Sequence, residues 1–306
     1  MKQLDLITGF LGAGKTTFIK RYADYLLRQG RRLGILENDY GAVNVDVMLL
    51  QELEQAGCGL ESVAGGCCED CHRRRFKTKL IALGMSAYDR VLIEPSGVFD
   101  VDEFYDALGE SPLDQWYTLG SVIAIVDATL TGELSDGAAY LLASQVAGAG
   151  VVVLSKTQEV SDGQTAAVID RLNALMERFG CPRRFGDDVL TKPWDEWTDE
   201  DFAAVAAAGS SGDSIVRRFN TEGFSSLYFM GGSYTAEELR GKVQAIFADK
   251  ACGGVFRVKG FFQDNGWQEL NATSEQFSLS PVPNGQEIII VIGEHLQKDA
   301  IERYFQ

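Results

Sequence analysis

Residues 4–17 read LDLITGFLGAGKTT, a short apolar run, a glycine-rich turn and the opening of an amphipathic stretch. Positions 9–16 satisfy G-x-x-x-x-G-K-[S/T], and no other feature of the chain narrows its fold so far. Glycines let the backbone curl until successive N–H groups point at phosphate oxygens, and a following helix adds the positive end of its dipole. Lys15 has the reach to meet β- and γ-phosphate oxygens, and the Thr16 hydroxyl can ligate Mg²⁺. Gly9, Gly12, Ala13, Gly14, Lys15, Thr16 and Thr17 are therefore the expected nucleotide-contacting residues. From average residue usage, a chance match occurs in about one chain of this size in a hundred, and the strand-before, helix-after setting lowers that further.

The rest of the first half agrees with this opening. LDLIT (4–8), LGILE (33–37), RVLIE (90–94), SVIAIVD (121–127) and VVVLS (151–155) are near-continuous apolar runs separated by helix-like segments. Runs of that kind are strands buried on both faces of a parallel sheet, joined by right-handed crossover helices. The expected fold is α/β, a doubly wound, mostly parallel sheet. DGQTAAVIDRLNALMERFG (162–180) reads as a helix stopped at Gly180, and residues 186–222 carry little pattern. After them, VFRVKGFF, WQELNAT, EQFSLSPV and QEIIIVIG around the helix TAEELRGKVQAIFAD predict a smaller α+β domain with an antiparallel sheet. The expected boundaries are 1–208 for the first domain, 209–222 for a linker and 223–306 for the second.

Charge removes two classes of partner. With 28 Lys and Arg against 44 Asp and Glu, the net charge is −16, which argues against nucleic acid and against an anionic membrane surface. The densest basic run, RRRFKTK (73–79), reads as the solvated face of a helix. MKQLDLITG lacks the apolar core of a signal peptide and no apolar run is long enough to span a bilayer, so a cytoplasmic protein with reduced thiols is expected.

Base selectivity should be set after the VVVLS strand, by Ser155, Lys156 and Gln158. Guanine-selective proteins of this kind usually carry Asn-Lys-x-Asp there, the Asp accepting two hydrogen bonds from guanine. Gln158 offers one neutral carbonyl oxygen in its place. GTP over ATP is the expectation, with a narrowed margin.

GFLGAGKTT (9–17), ENDYGAVNVD (37–46), a cysteine cluster at 67–71, LIEPSG (92–97), SVIAIVDA (121–128) and FRVKGFF (256–262) occur in an order that resembles the CobW-like metal-associated P-loop GTPases related to HypB and UreG. The resemblance implies a GTPase, cycling between GTP and GDP, that binds a transition metal such as Zn²⁺ and delivers it to a client metalloprotein. It implies that ENDYG opens the first switch, with Asp46 near Mg²⁺ and the attacking water. It also makes LIEPSG the second switch, with Glu94 near the metal-bound water. Lys15, Asp46 and Glu94 are then the expected catalytic residues. Such enzymes are slow alone, because a partner or a second copy in a homodimer must order the switches.

The metal motif departs from the family's Gly-Cys-x-Cys-Cys. Here Gly65 stands where the first cysteine is expected, before Gly66, Cys67 and Cys68, and Cys71 and His72 follow. Thiolates select Zn²⁺ or Cu(I), and a C-x-x-C spacing lets two sulfurs chelate one ion. The rebuilt ligand set would draw on Cys67 or Cys68, Cys71, Cys58 and either Glu37 or His72. Cys181 and Cys252, isolated in sequence, read as core residues. A second reading keeps the cysteines as a redox sensor or iron–sulfur site on a nucleotide-gated scaffold. A third, a P-loop kinase for a small molecule, lacks an evident basic lid.

Overall fold

The computed structural model describes residues 1–39, 50, 52–64, 69–99, 101–215 and 223–305. The chain forms two compact units, Met1–Phe219 and Asn220–Gln306.

In the first unit the apolar runs become the strands β1 (Lys2–Thr8), β2 (Leu33–Asp39), β4 (Arg90–Pro95), β5 (Tyr117–Asp127) and β6 (Val151–Ser155). β3 (Gly59–Ala64) and the short β7 (Val189–Leu190) complete one sheet of order β3-β2-β4-β1-β5-β6-β7, parallel at every pairing. Every residue of β4 and β6 is buried, which is why these strands read as unbroken apolar runs rather than alternating ones. Helices α1 (Lys15–Arg28), α2 (Glu69–Met85), α3 (Val101–Leu108), α4 (Leu113–Trp116), α5 (Asp136–Ala147), α6 (Asp162–Arg178) and α7 (Asp199–Ala206) cover it. The expected doubly wound α/β architecture is the one observed.

The two faces of the sheet have different owners. Phe18, Ile19, Tyr22 and Leu26 of α1 recur every three or four positions and pack on Ile7, Leu33, Ile35, Leu92, Ile123 and Ile125. Burying each such side chain contributes about 1.5–3 kcal/mol. The alternate residues of β2 face α2: a side chain on Gly34 would come within 3.1 Å of Leu83. At the other end of the sheet from the phosphate loop, Arg90 pairs with Asp5 (Nε to Oδ2, 2.6 Å), and Tyr22 and the Ser121 N–H donate to the same carboxylate.

Residues 186–208, almost patternless in sequence, supply core. Trp194, Trp197 and Phe202 gather around Phe18, with ring centroids 5.5, 5.8 and 6.4 Å away. The chain stays against this unit afterwards: the Val122 N–H donates to the Gly209 carbonyl (2.8 Å), and the Ser211 hydroxyl donates to the Ala147 carbonyl (2.7 Å).

The second unit is an antiparallel sheet of order β11-β10-β9-β12-β8, from β8 (Phe224–Met230), β9 (Gly254–Gln263), β10 (Trp267–Ala272), β11 (Phe277–Pro281) and β12 (Ile288–Glu294). Helices α8 (Ala236–Ala248) and α9 (Lys298–Phe305) accompany it, Leu239, Val243, Ile246 and Ile301 packing on Val258, Phe262, Ile289 and Val291. Thr235 and Glu238 close a capping box at the start of α8. No described helix is long and apolar enough to cross a membrane.

Candidate functional site

The loop between β1 and α1 uses its glycines for conformation. Gly9, Gly12 and Gly14 sit at φ 147°, 77° and 95°, values that side-chain-bearing residues rarely adopt. At Gly9 space forbids a side chain as well, since a Cβ would lie 2.3 Å from the Ile125 carbonyl oxygen. Gly14 is the N-cap of α1, no side chain caps that end, and its first turn carries no acidic residue. Such an N-terminus suits an anion. Lys15 is buried and donates from Nζ to the Gly9 carbonyl at 2.9 Å, so the ammonium lies over the loop it is expected to serve.

Because β1 lies beside β4, the first turn of α1 meets the end of β4. The Thr16 hydroxyl donates to Glu94 Oε1 at 2.7 Å. Glu37 is the register partner of Glu94 across β2–β4, and both carboxylates are buried. A hydroxyl beside buried carboxylates is a hard-oxygen donor set of the kind Mg²⁺ takes. Thr16 and Glu94 fit the ion that the phosphate loop implies.

The other side of the loop is formed by the ends of β5 and β6, where Asp127 is in register with Ser155. Lys156 adopts φ 57°, and its Nζ lies 2.5 Å from Asp127 Oδ2. Asp127 is held in turn by the Thr129 N–H and hydroxyl, at 2.8 and 2.7 Å. Gln158 is exposed, in a single helical turn at Thr157–Glu159. Trp194, which the sequence did not single out, belongs to this wall. Its Nε1–H donates to the Leu154 carbonyl (3.0 Å), and its ring edge lies 3.4 Å from where a Gly14 Cβ would stand.

The described cysteines, Cys58, Cys71, Cys181 and Cys252, belong to different parts of the fold. Cys71 is half-buried in the first turn of α2. His72 is buried, its Nε2 2.7 Å from Asn38 Oδ1. Side chains alternate along a strand, so Glu37 faces α1 while Asn38, and His72 with it, lies on the α2 face. The structure does not bring Glu37 and His72 together. Cys58 packs in the apolar cluster beside α1 with Leu50 and Leu53, and burial pushes its thiol up to about 11. A ligand must be a thiolate, and this environment opposes one. Among the described residues no three His, Cys, Asp or Glu side chains converge on a metal position. Asp46, Cys67 and Cys68 lie outside the described residues. Cys181 and Cys252 are buried.

A phosphate-cradling loop at the head of a parallel sheet, facing buried oxygen ligands, defines a P-loop nucleotide-binding protein. The family description "CobW/HypB/UreG, nucleotide-binding domain" matches residues 3–179, more than half of the chain. The chain belongs to that family. It is 28% identical over 162 residues to the zinc chaperone YeiR of Escherichia coli, covering 53% of this chain and 48% of YeiR. To the zinc chaperone YjiA of Escherichia coli it is 29% identical over 167 residues, 52% of this chain and 50% of that protein. The chain thus spans about half the length of these curated relatives. Among solved structures, Zn(II)-bound YjiA GTPase from E. coli aligns over 99% of this chain and 98% of its own, with 21% identity and a TM-score of 0.42. The hydrogenase maturation factor HypB from Archaeoglobus fulgidus covers 66% of this chain and 86% of its own, at 16% identity and a TM-score of 0.42.

Proposed function

We propose that this chain is a P-loop GTPase that couples GTP binding and hydrolysis to the binding of a Zn²⁺-like ion and its delivery to a partner protein in the cytoplasm. The observation that carries the reading is the Thr16–Glu94 hydrogen bond, which joins the phosphate loop to the end of β4 at the expected Mg²⁺ position. Lys15 Nζ and the loop N–H groups bind the β- and γ-phosphates and oppose charge that develops in phosphoryl transfer. Mg²⁺, held through Thr16 and Glu94, would neutralise part of that charge. Asp46 is the proposed orienter of the attacking water, and Ser155, Lys156 and Gln158 take the base. Membership of the CobW/HypB/UreG family and the likeness to chaperones named for zinc support delivery over a redox or cluster-holding scaffold.

The metal here is cargo. Cys67, Cys68 and Cys71 are its proposed thiolate ligands, whereas core burial sets Cys58 aside. The net charge of −16 supports a protein partner, or a second copy of the chain, rather than nucleic acid or an anionic membrane. The test is phosphate release from GTP by the full chain, with Zn²⁺ affinity measured beside GTPγS·Mg²⁺ and beside GDP. Turnover with nucleotide-dependent Zn²⁺ affinity is expected. The absence of both nucleotide binding and turnover would overturn the reading.

A further inference from the structure

Asn38 and Gln145, whose side-chain amides have no exposed surface (0% each), both bond the turn that follows β4, Asn38 through its backbone and Gln145 through its side chain. The Asn38 carbonyl accepts the Ser96 N–H at 2.8 Å, while its side-chain Oδ1 meets His72 Nε2 at 2.7 Å. Gln145 donates from Nε2 to the Gly97 carbonyl at 3.0 Å. Gln145 is conspicuous in its own helix, for α5 is buried at every position from Ala138 to Ala147 and is otherwise built mainly of Ala, Leu and Val. Placing an amide in such surroundings is costly unless all its polar atoms are bonded. Yet Gln145 Oε1 and Asn38 Nδ2 have no hydrogen-bond partner among the described residues.

The turn they hold presses on the phosphate loop. A Cβ on Gly97 would lie 2.7 Å from the Leu11 backbone nitrogen and 2.8 Å from Leu11 Cδ2. Gly97 therefore cannot shift toward the loop without moving it, and a ligand that pushes Leu11 toward the turn must displace Gly97.

We propose that Asn38 and Gln145 clamp the Ser96–Gly97 turn in one of two positions, and that their spare Nδ2 and Oε1 take partners when the γ-phosphate moves the turn. The proposal rests on the nucleotide-binding reading above. A glutamine suits the task because donor and acceptor share one planar group: Nε2 holds the Gly97 carbonyl, and Oε1 can accept an N–H if the following peptide rotates. Asn38 extends the clamp across the sheet. Its backbone holds Ser96 on one side and its amide holds His72, the neighbour of Cys71, on the other. A displacement of the turn is thus transmitted to the end of α2 that carries the proposed cargo ligand, a discrete two-position element of the sort coupling requires. Gln145 is a positioning residue in this account.

Gln145→Met keeps length and volume and removes both hydrogen-bonding capacities. The full-length variant and wild type are compared for GTPγS·Mg²⁺ affinity, GDP affinity, kcat and Tm. The preference for GTPγS over GDP should fall by about fivefold or more, the lower end of ordinary coupling factors, with GDP affinity unchanged and kcat reduced. A purely structural role would lower Tm and weaken both nucleotides equally, or change neither, and either result overturns the clamp alone. If wild type binds no nucleotide, the nucleotide reading falls and the clamp with it. Should the variant fail to fold, amide exchange in wild type over 96–99 and 141–147 decides. Protection differing between GTPγS and GDP in both segments is expected, and identical protection overturns the proposal.

Discussion

Thr16 donates its hydroxyl to Glu94 across 78 positions of sequence, at 2.7 Å. That bond is where the phosphate loop and the end of β4 become one site, and it exists because β1 and β4 are hydrogen-bonded neighbours. Thr16→Ala removes the only oxygen its side chain offers, whereas Thr16→Ser keeps it. Thr16→Ala should shift the Mg²⁺ concentration for half-maximal turnover upward by roughly tenfold or more, on the scale of one charge-assisted contact. Thr16→Ser should stay within a few-fold of wild type. Equal Mg²⁺ dependence in all three proteins would remove Thr16 from the ion's ligands.

Lys15 is the site's buried ammonium. Replacing it with Ala withdraws a positive charge from where phosphoryl oxygens gain negative charge. The expected loss is on the order of 10²-fold or more in kcat/KM. Single-turnover phosphate release reads it directly. Hydrolysis at the parental rate would mean that the loop does not serve phosphate transfer here.

On the base side, Gln158→Asp restores a charged two-oxygen acceptor after β6. The GTP-over-ATP affinity ratio should widen by about tenfold, the worth of a charge-assisted pair over a neutral one. Trp194 gives the same titrations an optical signal. Its ring lies against Gly14 and its N–H is held by Leu154, so tryptophan emission should change on nucleotide addition. Trp194→Phe should abolish most of that change, whichever nucleotide is added.

Burial of Cys58 makes a prediction about alkaline stability. Its thiol is raised from 9.0 to about 11 in the folded chain, so the fold favours the protonated form. That contribution is fully present below pH 9 and is lost as pH rises from 9 to 11, where the unfolded chain releases its proton first. Denaturant midpoints measured from pH 8 to 11 should fall less steeply in Cys58→Val than in wild type. Parallel curves would show that Cys58 is not the buried thiol described.

The first unit was legible because its signals are local. A glycine-lysine-threonine loop, strands apolar at every position and helices with a stop residue each need only a short window. What escaped had no periodicity to reveal it. Trp194, Trp197 and Phe202 sit in an acidic stretch with only a short helical signal, and only the folded chain shows three aromatic rings closing on Phe18. Gln145 looks like an ordinary helix residue until α5 proves buried on all sides. The proposed metal set was only partly legible. The sequence offered Cys58 and either Glu37 or His72 beside the cluster; strand alternation places Glu37 and His72 on opposite faces of the sheet, and Cys58 packs in the core.

The cargo site as proposed rests on Cys71 together with Cys67 and Cys68. Cys71 keeps solvent access at the start of α2 and precedes His72, which is tied to β2 through Asn38. Zn²⁺ binding should therefore depend strongly on Cys71: Cys71→Ser should weaken it by roughly 10²-fold or more, as expected for loss of a thiolate from a chelating pair. Wild-type affinity should rise with pH, because thiols must release protons to become ligands. It should also differ between GTPγS·Mg²⁺ and GDP, and Zn²⁺ should shift the two nucleotide affinities by the same factor, since linkage is reciprocal. A chelator-competition titration at two pH values with each nucleotide measures all three effects. Full Zn²⁺ affinity and unchanged nucleotide coupling in Cys71→Ser would exclude Cys71 as a ligand and leave Cys67 and Cys68 to hold the ion without it.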